Sequence, residues 1–542
     1  MTDQTQSWNA RRTLSAEELD AARAILDDVL AGMDPFKAIR LRPLSGGGYV
    51  PKHKLLHAYQ ELVLKGTLPE SGAVRSALRV KPTRSLSGVS TVTVLTGPNP
   101  CPGNCVFCPQ DEGLPKSYIR DEPGAARASQ NDFDPFKMVS SRLDSYRATG
   151  HPIDKIELLI LGGSWSAYTN EYRERFVQRC FDALNGCESA SLEEAQRINE
   201  SAACRNVGLV VETRPDMLTP PELAAMRRLG VTKVQMGAQS FNDQILELNY
   251  RGHSAADTLH ATALLRAAGF KTVLHWMPNL LGATPDSDRE DFARMWSGGY
   301  WPDELKIYPT QLLQNAPLYA YWQRGEFHPY STETLVNLIA DIKPSIPPSC
   351  RVNRVVRDIP AHHIMAGSKR SSLRQDVQAE LARRGQRCRC VRCREIRGIN
   401  VTAGELIFDD FQFEAAYAQE HFLNYHTADD RLAGYLRLSL PNPQVPEHFQ
   451  PTRDQLLSLI PELKGAALIR EVHVFGQALE VGAEQSGAAQ HSGLGTHLIK
   501  QAAKIAAAAG FKSLAVISAV GTRLYYEKRG FTRSPLYMLR AL

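Results

Sequence analysis

Nowhere in its 542 residues does the chain carry an apolar run long enough to span a membrane, which takes about 20 residues. The opening stretch, MTDQTQSWNARR, also lacks the apolar segment of a secretory signal. There is no internal repeat, which argues against a solenoid or propeller. Cysteine is sparse, ten in all, and most of it sits in two sets, 101/105/108 and 350/388/390/393. That distribution does not suit a disulfide framework and points to metal ligands in a reducing, cytoplasmic setting. Acidic residues are missing altogether from Ser71 to Gln110, where Arg75, Arg79, Lys81 and Arg84 fall close together. From Cys350 to Arg397 there are 13 Lys/Arg against 4 Asp/Glu, although the whole chain carries only +5. Two basic zones on a nearly balanced protein suggest a polyanionic partner, with nucleic acid ahead of a plain solvated face.

What is present reads as a globular protein, 43% hydrophobic and 22% charged, too long for one ordinary core. The first 80 residues are predicted helical. Ser15 and Glu18 make a capping box, and Leu19, Ala22, Ile25, Leu26 and Val29 share a face. Gly46-Gly47-Gly48 has no following Lys-Ser/Thr and reads as a loop. Six short apolar runs follow, at 91–96, 156–161, 207–211, 232–236, 271–276 and 304–308, with stretches between them long enough for crossover helices. Strand alternating with helix implies α/β architecture with a parallel sheet, here a partial, six-unit α/β barrel. In such barrels chemistry gathers in the loops after the strands. A third, mixed pattern occupies 401–542. The expected units are therefore 1–80 (helical, with a basic end), 81–345 (partial barrel), 346–400 (basic, metal-binding) and 401–542 (C-terminal domain).

The loop after the first run holds Cys101, Cys105 and Cys108, spaced C-x3-C-x2-C. Structural zinc wants four ligands, usually in two separated pairs. Three thiolates in one loop suit a four-iron cluster better, because they leave one iron open. With an aromatic before the last cysteine, the spacing resembles the radical S-adenosylmethionine (SAM) signature. That resemblance implies a [4Fe-4S] cluster and SAM, chelated at the open iron and cleaved to a 5′-deoxyadenosyl radical. Gly162, Gly163 and Ser164 follow the second run and would let backbone approach the methionyl group. Gln239 and Ser240, after the fourth, would bond its amino acid or ribose.

The second set, Cys388, Cys390 and Cys393, lies in the basic stretch and reads as zinc, with Cys350 the expected fourth ligand. Cys180, Cys187 and Cys204 are scattered and read as small apolar fillers. Gln490 to Thr496 (QHSGLGT) sits between a strand and a predicted helix, a place where backbone N–H groups and the helix dipole suit a pyrophosphate. It resembles the acyl-CoA loop of the GNAT acetyltransferases, and Tyr525-Tyr526 sits where that fold often places a tyrosine near the thioester; Tyr525 is thus the candidate catalytic residue.

The combination resembles one family, the catalytic subunit of Elongator and its stand-alone prokaryotic relatives. The motifs that carry it include LPKSY (114–118), NDFDPF (131–136), GHPIDKIELLILGGSW (150–165), RGH (251–253), LKIYPT (305–310), RVVRDIPA (354–361), REVHVFG (470–476) and AVGTRLYYEKRGF (519–531). The resemblance implies carboxymethylation of the tRNA wobble uridine. It implies acetyl-CoA contacts from Lys155, Arg470, Glu471, Val472, His473, Gly493, Leu494, Gly495 and Tyr525, beside Gln490 and Thr496 of the loop. It also implies an electron donor, and a homodimer or Elongator-like subunits as partners. The spacing between Cys101 and Cys105 is shorter than in eukaryotic members, which changes the loop and not the ligands. Two other readings stay open: a protein lysine acetyltransferase with the barrel as scaffold, and a non-catalytic tRNA-binding protein.

If the acid-free zone holds tRNA through Arg75, Arg79, Lys81 and Arg84, replacing Lys81 and Arg84 together weakens all tRNAs alike. The salt dependence of binding then falls by about two phosphate contacts. A filter-binding salt titration checks this, and unchanged slopes would make the zone a solvated face.

Overall fold

The protein is described by a computed structural model covering residues 13–82, 85, 87–397, 399, 401–475 and 493–542. Four helices, Ala16–Leu30, Pro35–Arg40, Lys52–Leu64 and Gly72–Leu78, make the amino-terminal unit. Its first helix starts with the expected capping box, Glu18 N donating to Ser15 Oγ at 3.1 Å and Ser15 N to Glu18 Oε2 at 2.9 Å. Ala22, Ile25, Leu26 and Val29 are buried together with Leu55, Leu56, Tyr59 and Leu62 in a separate small core. Among the described residues no helix is long and apolar enough to cross a membrane.

An open, curled parallel sheet follows, built from β1 (Ser90–Leu95), β2 (Lys155–Leu161), β3 (Arg205–Thr213), β4 (Lys233–Gln239), β5 (Lys271–Trp276), β6 (Glu304–Ile307) and β7 (Arg351–Arg354), in that order. The six runs all form strands. The seventh, RVNR, is too short and too basic to show as an apolar run, yet it pairs with β6 through Glu304↔Arg351 and Leu305↔Val352. Alternate side chains, among them Leu158, Leu209, Val211, Val234, Met236, Leu274, Trp276, Leu305 and Ile307, pack into the main core. The intervening positions face the other, concave side, because strand residues alternate faces. Since all seven strands are parallel, their carboxy-terminal ends share one rim.

The second sheet contains β8 (Ile407–Ala415), β9 (Ala418–His426), β10 (Leu432–Pro441), β11 (Ala466–Val474), β12 (Ser513–Val516), β13 (Thr532–Arg533) and β14 (Met538–Ala541), ordered β13-β14-β12-β11-β10-β9-β8. β11 and β12 run parallel but pair only from Ala466↔Ser513 to Ile469↔Val516, while β11 continues to Val474. Between them in sequence comes helix Leu494–Ala508, which covers Leu436, Leu438, Ala467 and Ile469 with Leu498, Ile499, Ala502 and Ala506.

This sheet docks on the amino-terminal ends of the barrel strands through buried ions. Arg470 donates to both oxygens of Asp303 at 2.6 and 2.7 Å and to Glu420 at 2.6 Å, and all three are nearly solvent-free. Arg437 reaches Glu471 at 2.9 Å, and Lys271, the first residue of β5, pairs with Glu471 at 2.8 Å. The register shifts between Arg437 and Leu438, so Arg470 is the extra residue of a β-bulge. A bulge re-aims side chains, which explains how the successive Arg470 and Glu471 both meet the barrel. Elsewhere in this interface Tyr537 Oη donates to Ala268 O at 2.5 Å, and Arg523 and Arg533 pair with Glu200.

Burial alone would raise the Asp303 carboxyl, but Arg470 and Arg437 hold it far below the usual carboxylate range. Its contribution is thus fully present above the unfolded carboxylate pKa of about 4 and is lost only as pH falls through the depressed value. Asp303→Ala removes the buried carboxylate that Arg470 and Arg437 share, leaving them only Glu420 and Glu471, and is expected to cost about 3–5 kcal/mol at neutral pH. Denaturant unfolding followed by circular dichroism checks this, with the difference from wild type shrinking in acid below about pH 4.

Candidate active site

The cysteine loop leaves β1 at the carboxy-terminal rim and is held there by backbone bonds from distant segments. Val106 N donates to Asn249 O at 3.3 Å, and Leu318 N to Val106 O at 2.8 Å. Lys116 Nζ donates to Gly103 O at 2.5 Å, and Arg251 Nη1 to Cys105 Sγ at 3.2 Å. Burial pushes the bare Cys108 thiol up to about 12, with Arg357 and Lys116 pulling the other way. Cavities open on both sides of the loop. One of about 400 Å³ is lined by Asn99, Cys101, Gln110 and Lys116, and another of about 600 Å³ by Gly103, Arg214, Asp216, Arg251 and His253.

Gly162 and Gly163 follow β2 directly, beside the end of β1. Gly162 has φ +148°, and a Cβ there would collide with the Thr96 hydroxyl. Ser164 Oγ lies 3.4 Å from Thr213 Oγ1, which joins the ends of β2 and β3. Gln239 ends β4 at φ 71° with its Oε1 buried and unpartnered, and Ser240 Oγ accepts from Asn242 N at 3.1 Å. Arg251 Nη2 donates to Gly237 O at 2.5 Å, tying the RGH segment to this strand end. The structure therefore gathers Cys101, Cys105, Cys108, Gly162, Gly163, Ser164, Gln239 and Ser240 at one rim.

Sequence reasoning missed a polar strip along the concave face. Lys233 bonds Glu157 at 2.8 Å and Glu304 at 3.2 Å, and Asn353 donates to Glu304 at 2.7 Å. Nearer the rim, His275 Nε2 lies 3.0 Å from Gln235 Oε1, and its Nδ1 is 3.9 Å from Glu212. Burial raises the Glu212 carboxyl despite Lys306 and Arg357, while burial and the same cations lower His275 well below the usual imidazole value. A carboxyl inclined to keep its proton thus faces an imidazole inclined to stay neutral. The signal was available in sequence: barrel interiors favour branched apolar side chains, yet Glu157, Glu212, Gln235, His275 and Lys306 occupy these strands.

Cys388, Cys390 and Cys393 bring their sulfurs within 4.8 Å of one another. Around a tetrahedral zinc, sulfurs stand about 3.8 Å apart, so this trio suits a single ion. Among the described residues Cys101, Cys105 and Cys108 do not gather that closely. Cys350 is fully buried next to the second trio, its carbonyl accepting from Val391 N at 2.9 Å, but its sulfur is not one of the gathered atoms. Lys343, which sequence reasoning did not single out, is buried with its Nζ unpartnered and acts electrostatically on all three thiols. An ammonium there offsets the negative charge of a thiolate-held ion. Cys180 and Cys204 are buried as fillers, whereas Cys187 is exposed.

In the second sheet, Gly493 caps helix Leu494–Ala508 with φ 72°. A Cβ on Gly495 would strike Tyr525 Oη, which places that hydroxyl against the helix start. Arg529 stacks 3.5 Å from the centroid of the Tyr525 ring and donates to Thr496 Oγ1 at 3.1 Å, adding positive charge beside the exposed N–H groups. Gln490 lies outside the described residues, as does Arg84. The side chains of Arg470 and Glu471 are committed to the barrel, so only their backbone is left for a ligand. Val472 packs at the edge of the helix-covered core, and His473, lowered to about 4 by burial, stacks on Tyr435. Lys155 begins β2 opposite Arg205, which packs on Gly521 of the segment leading to Tyr525. The basic zones are less free than their composition suggests. Arg75 pairs with Glu70, Arg79 donates to Gly150 O, and Lys81 is exposed.

Comparison with known proteins fits this geometry. Residues 98–295 match the Radical SAM superfamily model and 302–383 the Radical_SAM C-terminal domain. The curled parallel sheet with a three-cysteine rim is thus a radical SAM enzyme, a class that implies a [4Fe-4S] cluster and SAM. The rim fits both, offering three cysteines beside Arg251, a buried and unpartnered Arg214 Nη1 on a residue that lines the second cavity, and a buried, unpartnered Gln239 Oε1 at the end of β4. A tRNA uridine(34) acetyltransferase of Dehalococcoides mccartyi is 40% identical over 85% of this chain and 99% of its own. Elongator complex protein 3 of Homo sapiens is 33% identical over 86% of each. The solved archaeal Methanocaldococcus infernus Elp3 with an N-terminal deletion superposes at TM-score 0.72, with 35% identity over 84% of this chain and 99% of that one. The chain belongs to the family of the Elongator catalytic subunit and its prokaryotic relatives.

The two cysteine sets differ in spread, so they are expected to load independently. Cys105→Ala loses iron and keeps zinc, and Cys390→Ala does the reverse, by elemental analysis of anaerobically purified protein. Loss of both metals from either variant would refute two separate sites.

Proposed function

We propose that this protein installs a carboxymethyl group at C5 of the tRNA wobble uridine, drawing both carbons from acetyl-CoA. One observation carries the reading: a relative named tRNA uridine(34) acetyltransferase aligns over 469 residues and 99% of its length, more than any one unit of this chain contains. The acetyl methyl is no nucleophile, so an ordinary acetyltransferase domain cannot join it to carbon, and a radical SAM barrel alone has no acyl donor. When bound, the cluster and SAM supply a 5′-deoxyadenosyl radical able to take hydrogen from that methyl.

The chain's own residues divide the work. Cys101, Cys105 and Cys108 hold the cluster, with Arg251 on Cys105. Gly162, Gly163, Ser164, Gln239 and Ser240 receive SAM. The start of helix Leu494–Ala508, with Gly493 to Thr496 and Arg529, takes the pyrophosphate of acetyl-CoA together with Gln490. The backbone of Arg470 to His473 runs beside the pantetheine arm, Lys155 approaches from the barrel, and Tyr525 stands near the thioester. Because β2 spans about 20 Å from Lys155 to the rim, the polar strip between is the route along which the acyl end meets the uridine. As uridine C5 gains carbon, the adduct radical returns one electron to the redox partner that supplied it and sheds the C5 hydrogen as a proton, which the neutral His275 Nδ1, facing Glu212, is placed to hold. Water then cleaves the thioester and CoA leaves as its thiol. Zinc on Cys388, Cys390 and Cys393, with Cys350 buried beside them, fixes the basic segment, whose phosphate contacts position the tRNA while the uridine leaves its stack.

With acetyl-CoA deuterated on the methyl, deuterium is expected in 5′-deoxyadenosine and carboxymethyluridine in tRNA digests, both read by mass spectrometry. Cys101→Ala abolishes both and leaves acetyl-CoA binding intact. Gly495→Asp also abolishes both, because its carboxylate repels the pyrophosphate and its Cβ meets Tyr525. Acetylated lysine with unlabelled 5′-deoxyadenosine and unmodified tRNA would instead make the protein a lysine acetyltransferase.

A further inference from the structure

β1 and β7 are the edge strands of the open sheet, so no hydrogen-bond ladder closes the barrel between them. The segments that follow these two strands meet instead at the rim. Arg357 donates to Glu122 at 2.8 and 3.1 Å and to Ser117 Oγ at 3.0 Å. Beside that pair, Asp121 from the β1 side faces His362 and His363 from the β7 side. Both imidazoles direct Nε2 at the same carboxylate oxygen, Asp121 Oδ2, at 3.4 and 2.8 Å. All three donor atoms lie within 4.8 Å of one another. The short turn Ala361–His363 makes this possible by bringing two successive rings to the same side, their centroids 4.2 Å apart.

We propose that Asp121, His362 and His363 bind a divalent transition-metal ion of the zinc class, which clamps the open seam of the barrel. The donor chemistry suits such an ion, since imidazole and carboxylate favour zinc and its neighbours over calcium or magnesium. The spacing suits it as well. Around a tetrahedral zinc with bonds near 2.05 Å, adjacent ligand atoms stand about 3.3 Å apart, between the two separations seen here. With 54%, 68% and 35% of their side-chain surfaces exposed, Asp121, His362 and His363 leave the remaining coordination positions to water. The cysteine sites are separate from this one and share no residue with it. The ion's anchors come from the segments that follow the two edge strands, so binding resists their separation and adds to the bonds of Arg357 with Glu122 and Ser117 and to the packing of Ile119 with Ile359 and Ile364.

Titration of the full-length protein with Co2+, its cysteine-held metals already in place, tests this. One further equivalent is expected, with ligand-field absorption but no thiolate charge-transfer band. Asp121→Asn and the double variant His362→Ala/His363→Ala lose that equivalent while keeping wild-type iron and cysteine-held metal. Added Zn2+ raises the melting temperature of wild type and not of the variants. Equal Co2+ uptake by wild type and variants, or uptake seen only through a thiolate band, would overturn the site. Uptake without a rise in melting temperature would overturn the clamp.

Discussion

The arrangement of this protein depends on a guanidinium–carboxylate pair, Arg470 with Asp303, buried where the second sheet meets the barrel. Two charges withdrawn from water are tolerated only with good geometry and further partners. Here Glu420, Arg266, Arg437, Glu471 and Lys271 supply them in a continuous network. An apolar interface of the same area would tolerate sliding. This one fixes register, because a shift of one residue would leave several buried ions unpaired. The bulge at Arg470 belongs to the same design, since it lets two successive side chains of β11 face the barrel while the strand continues past β12.

Docking at that end has a consequence for chemistry. The cysteine rim and the helix start at Gly493 lie toward opposite ends of the barrel strands, so the space between them has to be hospitable to polar groups. The concave face answers that need with alternating charges, Glu157, Lys233, Glu304, Glu212, His275 and Lys306, most of them paired. Pairing keeps their burial affordable. The Glu212 and His275 pair is the looser one, and it is there that burial pushes a carboxyl and an imidazole in opposite directions.

Much of the rim was legible beforehand. Parallel strands put every following loop at one end, so Cys101, Gly162 and Gln239 had to converge once the α/β alternation was recognised. The capping box at Ser15 and the six apolar strands follow from local periodicity. β7 did not, because Arg351–Arg354 lacks an apolar run and is a strand only through pairing with β6. The basic character of 350–397 was overstated by composition, since Asp341, Asp430 and Glu122 arrive from elsewhere to pair with Arg384, Arg394 and Arg357.

The sequence by itself determined the ligand types and their spacing, the strand–helix alternation and the glycine-rich turns, because these are set by neighbours within a few residues. Tertiary structure alone decided which charges are neutralised, which way Arg470 and Glu471 point, and that the buried Lys343 acts on the thiols of Cys388, Cys390 and Cys393. It also decided that Asp121 meets His362 and His363. Each of these depends on pairings across tens to hundreds of residues, and a contact made only when two distant strands curl toward each other leaves no local pattern in the chain.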